Sequence, residues 1–305
     1  MHYAEGAQTA VIRVSNWEDA RQIGKSLSRW LFRGQGKAEW SLKSSLERAF
    51  ENIGIPIVDT KYAIEEMIII DFKSAAHLFS THVPKDKDTI AWLSLIRHHG
   101  GPTRLLDFTE SFYVAAYFAL DGATEDCAIW AFNRRAFVKR VSDDIDSLCK
   151  QFKIDHDISL EQRLDEILRR AIAGEVNNNI VITMAPSQRN ERQFVQQGLA
   201  IIPLNLRNGY MGALLGSFDP PGRMPNENQM QKVNLEEALL LLQNSKLVKI
   251  VMTEDCLLDA RLDLKQMNIG GATLFRGLDG LGKHSYDILT ILEKHLKDRR
   301  DQTNS

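Results

Sequence analysis

The sequence predicts an α+β fold, on three observations. About six strand-like runs are spread among seven or more helical patterns. The strands do not alternate regularly with crossover helices, as a doubly wound sheet requires. The composition, 44% hydrophobic and 26% charged over 305 residues, is that of a globular chain long enough for a sizeable core.

Taken in order, Thr9 to Val14 alternates in the manner of a strand. Asn16 is the expected cap of a helix from Trp17 to about Ser28, with Glu18 and Asp19 in its first turn. Leu31 to Gly34 reads as a short strand running into a Gly-Gln-Gly turn, and Leu42 to Phe50 as a short helix. A long helical pattern starts at Asp59 and runs towards His77, its apolar face carrying Ile64, Met67, Ile68, Phe72, Ala75 and Leu78. Asp88 to Ile96 is helical and stops at Gly100-Gly101-Pro102. Thr109 or Ser111 caps an apolar helix ending at Leu120.

Cys127 to Phe132 reads as a buried strand and Ile145 to Ala173 as charged helix. Val181 to Met184 and Leu199 to Leu204 are strands. Residues 205–232, rich in Gly, Pro and Asn, are expected to form a long loop or lid. Leu235 to Leu242 is a helix, Lys246 to Met252 a strand, and Thr253 the cap of a helix through Lys265. Ser285 to Leu296 is the expected terminal helix, with Lys297 to Ser305 frayed. Leu-Phe-Arg-Gly occurs at 31–34 and at 274–277, but its flanks differ, so it is read as coincidence.

A formal net charge of −2 points to neither nucleic acid nor a membrane surface. No apolar run has membrane-spanning length, and no basic region precedes an apolar core at the N-terminus, so neither membrane association nor a signal peptide is expected. Cys127, Cys149 and Cys256 are far apart and in no metal or redox spacing, which favours a reduced, cytoplasmic setting.

Three polar clusters carry the functional reading. Arg33, at the end of an apolar strand and followed by glycines, is poised either to meet an anion or to pair with a carboxylate such as Asp107. The second cluster runs from His98 to Thr109. His98 either closes a helix C-terminus or bonds a ligand; His77 and His82 do not complete a zinc spacing with it, so no metal is expected. Asp107 and Thr109 can satisfy free amides of the next helix, and Asp107 can also hold Arg33 or Arg104. Tyr113 and Tyr117 share a helical face, where at least one packs. The third cluster, around Arg192, Gln196, Gln197 and Gly198, leads into a strand; its glutamines can pair with backbone or grip a ligand. No nucleophile elbow, phosphate loop or dinucleotide glycine fingerprint is present.

Together and in this order, these clusters resemble the FRG domain family. Phe32-Arg33-Gly34-Gln35, Trp40-Ser41-Leu42 and Glu47-Arg48 match its opening, and His98 to Thr109 with Ala115 to Ala119 its central signature. His99 stands where tyrosine or phenylalanine is usual, and Phe108 where tryptophan is. Asn190-Glu191-Arg192 with Gln197-Gly198 resembles the third block; Ile269 to Gly280 resembles the last, with Arg276 in place of proline. The resemblance spans roughly residues 25–282, which implies one domain over 1–282, helical insertions included, and a terminal helix with a disordered tail over 283–305.

The order of blocks is in turn similar to the ADP-ribosyltransferase fold. That likeness implies a mixed, mostly antiparallel central sheet with many surrounding helices, and NAD as substrate. Carried over, Arg33 with Gly34 would meet the NAD phosphates or ribose. His98, Thr103, Asp107, Thr109 and Tyr113 would line the nicotinamide pocket, and Gln197 or Glu191 would sit by the reacting ribose. The implied function is an NAD-dependent transferase acting on a protein or nucleic acid, in a toxin or phage-defence setting. Gln197 is neutral and cannot act as a base, so the alternative is a module that binds a nucleotide or anion, or an interaction partner, without turnover.

Overall fold

The computed structural model describes residues 1–55, 58–185, 194–275 and 277–303. Its strands are β1 (His2–Gly6), β2 (Thr9–Val14), β3 (Leu31–Gln35), β4 (Leu106–Thr109), β5 (Cys127–Phe132), β6 (Val181–Met184), β7 (Gly198–Pro203), β8 (Gln231–Lys232) and β9 (Leu247–Met252). The helices are α1 (Trp17–Ser26), α2 (Ser45–Asn52), α3 (Val58–Ala76), α4 (Thr89–His98), α5 (Phe112–Leu120), α6 (Val138–Phe152), α7 (Leu160–Ile172), α8 (Gly209–Gly216), α9 (Leu235–Leu242), α10 (Leu257–Gln266), α11 (Gly271–Leu274) and α12 (Gly277–Thr303).

Among the described residues the strands form one nine-stranded sheet in the order β6-β7-β4-β3-β5-β9-β2-β1-β8. Only β2 and β9 run parallel; the other neighbours are antiparallel, so the sheet is mixed and mostly antiparallel. The central strands β5 and β9 are buried along their whole length. That is why Cys127–Phe132 reads as a continuous apolar run instead of alternating: both faces are covered. One face packs Leu31, Trp130, Phe132 and Leu247 against α4, α6 and α7. The other packs Phe32, Ile129, Val248 and Ile250 against α1, α5 and α10.

Local chemistry explains the helix starts. Asn16, Asp88 and Ser111 accept the amides of Asp19, Ala91 and Val114 at 2.8, 3.1 and 3.3 Å, each satisfying a donor the helix leaves open. Between Thr109 and Ser111, therefore, Ser111 is the cap of α5. Thr109 ends β4, and its hydroxyl accepts the Ser111 amide and donates to the Gln196 carbonyl at 2.7 Å. Asp107 caps nothing in the next helix; its carboxylate pairs with Arg97.

Several boundaries differ from expectation. The charged stretch 145–173 is two helices, because Lys153 takes a left-handed turn (φ 54°) and a Ser159–Gln162 capping box restarts the chain. Thr253 makes no capping bond; a 3-10 turn over Glu254–Cys256 precedes α10. Residues 205–232 are not one loop but hold α8, a 3-10 turn and β8. They are tied to the sheet by the Arg223 amide on the Ala7 carbonyl and by Lys249 on Glu227. β1 was not anticipated, and α12 is longer than the pattern 285–296 suggests.

One buried ion pair joins the helices to the sheet. Arg104 is fully buried and Glu65 nearly so. Arg104 Nε donates to Glu65 Oε1 at 2.8 Å and Nη2 to Oε2, a bidentate pair. The remaining donors reach the carbonyls of Pro203, Leu204 and Ala171. Arg104 is thus held by α3, not by Asp107.

Candidate functional site

The alternation of β3 sets the site. Leu31, Arg33 and Gln35 share one sheet face, Phe32 and Gly34 the other. Gly34 meets α5 so closely that an added Cβ would lie 2.0 Å from the Ala115 carbonyl oxygen and 2.4 Å from the Ala119 amide. Glycine there is a packing requirement, and it lets β3 run tight against the helix.

Beside β3 opens a cleft of about 1180 Å³, walled by the turn 36–43, α2, α4, β4, the C-terminal end of α5 and the start of β7. Five basic residues line it (Arg33, Lys37, Lys43, Arg48, Arg97), and so do five acidic ones (Glu39, Glu51, Asp107, Asp121, Glu125). The charges are not evenly mixed. Lys37 pairs with Glu125, Lys43 with Glu51, and Asp121 with Lys283 on α12. What gathers at one corner is Arg33, Arg48 and Arg97, with Asp107 paired to Arg97 and with Glu47 and Glu51 of α2 acting on Arg48.

At that corner Arg33 Nη1 donates to the Asp107 backbone carbonyl at 2.7 Å, while its Nε is buried and has no partner among the described residues. Burial pulls the Arg33 guanidinium down to about 10; the Asp107 charge opposes this, and Arg97 and Arg48 add to it. Arg33 therefore stays charged at neutral pH at a desolvation cost that an anion would offset. Arg48 is lowered too, by burial and then by Arg97, and is anchored on the Lys43 carbonyl at 2.6 Å. Glu47, next to Arg48, faces elsewhere: its carboxylate takes the Tyr210 amide at the start of α8. Arg33, Arg48 and Arg97 thus give this corner of the cleft a concentration of guanidinium donors.

The structure brings Arg33, Gly34, His98, Asp107 and Thr109 to this cleft, His98 as the last residue of α4. It places Thr103, Tyr113 and Gln197 outside the lining. Thr103 is buried and ties its loop to α2, its amide donating to Ser45 Oγ and its carbonyl accepting from the Leu46 amide. Tyr113 packs edge-on against Trp17 and Phe112. Gln197 has φ 49°, and its carbonyl accepts the Glu110 amide; its neighbours Gln196 and Gly198 line the cleft instead. The Gln196 side chain is itself committed, donating to the Leu274 carbonyl at 2.9 Å. Glu191 and Arg192 lie outside the described residues.

Arg48 and Arg97 are the functional candidates that sequence reasoning missed. Their only sequence signal was position, beside Glu47 in the first block and directly before His98 in the second. Among the described residues no group of three or more His, Cys, Asp or Glu is placed to hold a metal, and no helix is long and apolar enough to cross a membrane.

Residues 28–127 match the family model of the FRG domain, so the chain carries an FRG domain over that stretch, with Arg33, Arg48, Arg97 and Asp107 inside it. No curated protein and no solved structure matches the chain.

Proposed function

We propose that this FRG-domain chain binds a nucleotide in the cleft beside β3, with NAD as the ligand to test first. The observation that carries this reading is the corner of Arg33, Arg48 and Arg97 around Asp107, with Arg33 Nε buried and unpartnered. A guanidinium that burial has partly stripped of water is stabilised by the charge of a ligand anion in the adjoining cleft. Protein stability should therefore rise with ligand.

A second reading is favoured by one observation: the Asp107 carboxylate, 55% exposed, lines the same cleft as Arg33. In ADP-ribosyl transfer nicotinamide leaves with the pair of its bond to ribose, the ribose carbon develops positive charge, and a nucleophile of the acceptor bonds to that carbon and gives up its proton. A carboxylate beside that carbon lowers the barrier. Asp107 would serve there, with Arg97 holding its rotamer. Release of nicotinamide by wild-type protein, lost in Asp107→Asn, separates transfer from binding alone.

The test of binding is a thermal-shift titration. NAD at about 100 times its Kd should add about 2.7 kcal/mol of stability, which is about 4 °C for a chain of this size. Arg33→Ala should abolish that shift, while the unliganded variant still unfolds in one cooperative transition. A wild-type transition that no nucleotide moves would sink the reading.

A further inference from the structure

We infer that Trp40 is a stacking platform in the same cleft, so that the ligand is an extended molecule with an aromatic ring on Trp40 and its phosphates at the arginine corner. This rests on the nucleotide reading above and specifies which wall takes the ring.

Trp40 lines the cleft and is 49% exposed. Its turn is fixed, so the exposure is not slack. The Ala38 amide bonds the Asp126 carbonyl at 2.8 Å, and Lys37 holds Glu125 at 2.7 Å. On the other side, Gln35 Nε2 donates to the Ser41 carbonyl at 3.2 Å, and Gln35 Oε1 accepts from Trp130 Nε1 at 2.7 Å in the core. Leu42, two residues on, is fully buried. The chain is anchored before and after Trp40, yet the indole stays out of both hydrophobic cores.

A large apolar ring held rigidly at a cleft wall loses little entropy when another ring covers it. Ring stacking also tolerates any π-face, which suits a base or a nicotinamide. Both flanking lysines are engaged by acids, Lys37 by Glu125 and Lys43 by Glu51, which keeps them off the indole face. The cleft volume of about 1180 Å³ lies above the roughly 300–1,000 Å³ of ordinary small-molecule pockets. Trp40 and the three arginines line this same cleft, so one extended ligand can meet both.

The test is calorimetric titration of NAD and of inorganic pyrophosphate into wild-type protein, Trp40→Ala and Trp40→Phe. Trp40→Ala should weaken NAD by about 5- to 150-fold and leave pyrophosphate within about twofold, while Trp40→Phe keeps most of the NAD affinity. Equal NAD affinity in wild type and Trp40→Ala overturns the stacking role, and so does an equal loss for pyrophosphate. If wild type binds NAD in an Arg33-dependent way but ignores Trp40, this inference fails and the nucleotide reading stands. If wild type binds neither probe, both fail. Trp40 is half-exposed, so unchanged melting of the variants is the check that folding is intact.

Discussion

Glu65→Ala should destabilise the chain by about 3–5 kcal/mol, the usual cost of breaking a buried ion pair from one side. The expectation follows from Arg104, which is 0% exposed and whose bidentate partner is Glu65. Without that carboxylate, the guanidinium keeps only the carbonyls of Pro203, Leu204 and Ala171, which cannot neutralise it. Water cannot replace the carboxylate without opening the layer between α3, α7 and the end of β7. The midpoint of thermal unfolding should fall by about 5–8 °C. Arg104→Met with Glu65→Leu together should recover much of the loss, because removing both charges leaves none uncompensated. A loss in Glu65→Ala below about 1 kcal/mol in urea unfolding would show that the pair is not the anchor described.

Gly34→Ala should cost about 3 kcal/mol, at or above the usual range for forcing a carbon into a packed site. Three atoms close on the missing Cβ, the Ala115 oxygen at 2.0 Å, the Ala119 nitrogen at 2.4 Å and the Phe118 carbonyl carbon at 2.9 Å. All three belong to the backbone of α5, so no side chain can swing aside. The helix must lift from β3 and would carry Phe118, a cleft residue, with it. Melting should drop by about 5 °C, and nucleotide affinity should weaken along with stability. Gly36→Ala is the control, since its Cβ would meet nothing nearer than 3.7 Å. A Gly34→Ala protein as stable as Gly36→Ala would contradict the packing assigned to β3 and α5.

How much of this was legible depended on whether the determinant is local. Caps are local, so Asn16 and Asp88 could be read directly, and β3 and β5 declared themselves by apolar runs. Thr109 and Ser111 are both good capping residues two positions apart; the choice fell to Ser111 because β4 pairs with β7 through Thr109. The break at Lys153 is a left-handed residue without a glycine to announce it. β1 was missed because its exposed ends dilute the alternation within five residues.

In the site, Arg33 and the stretch from His98 to Thr109 stood out by polar density against apolar surroundings. Arg48 did not, because convergence across 15 residues of chain on a helix that looks solvated leaves no pattern. Glu65 was hidden likewise: beside Glu66, and with Asp59 and Asp71 on the same helix, it reads as surface until the fold turns it onto Arg104. Gln197 drew attention as a polar residue before a strand, yet its role is set by a positive φ and backbone bonds that composition does not encode.

The measurement closest to the central claim is calorimetric titration of NAD into wild type and Arg33→Lys at two salt concentrations. Lysine keeps the charge but loses the planar fork and the buried Nε donor. NAD should bind wild type with an affinity that falls as salt rises, and Arg33→Lys at least about tenfold more weakly at both. Equal affinities for the two proteins, or no binding by wild type, would contradict it.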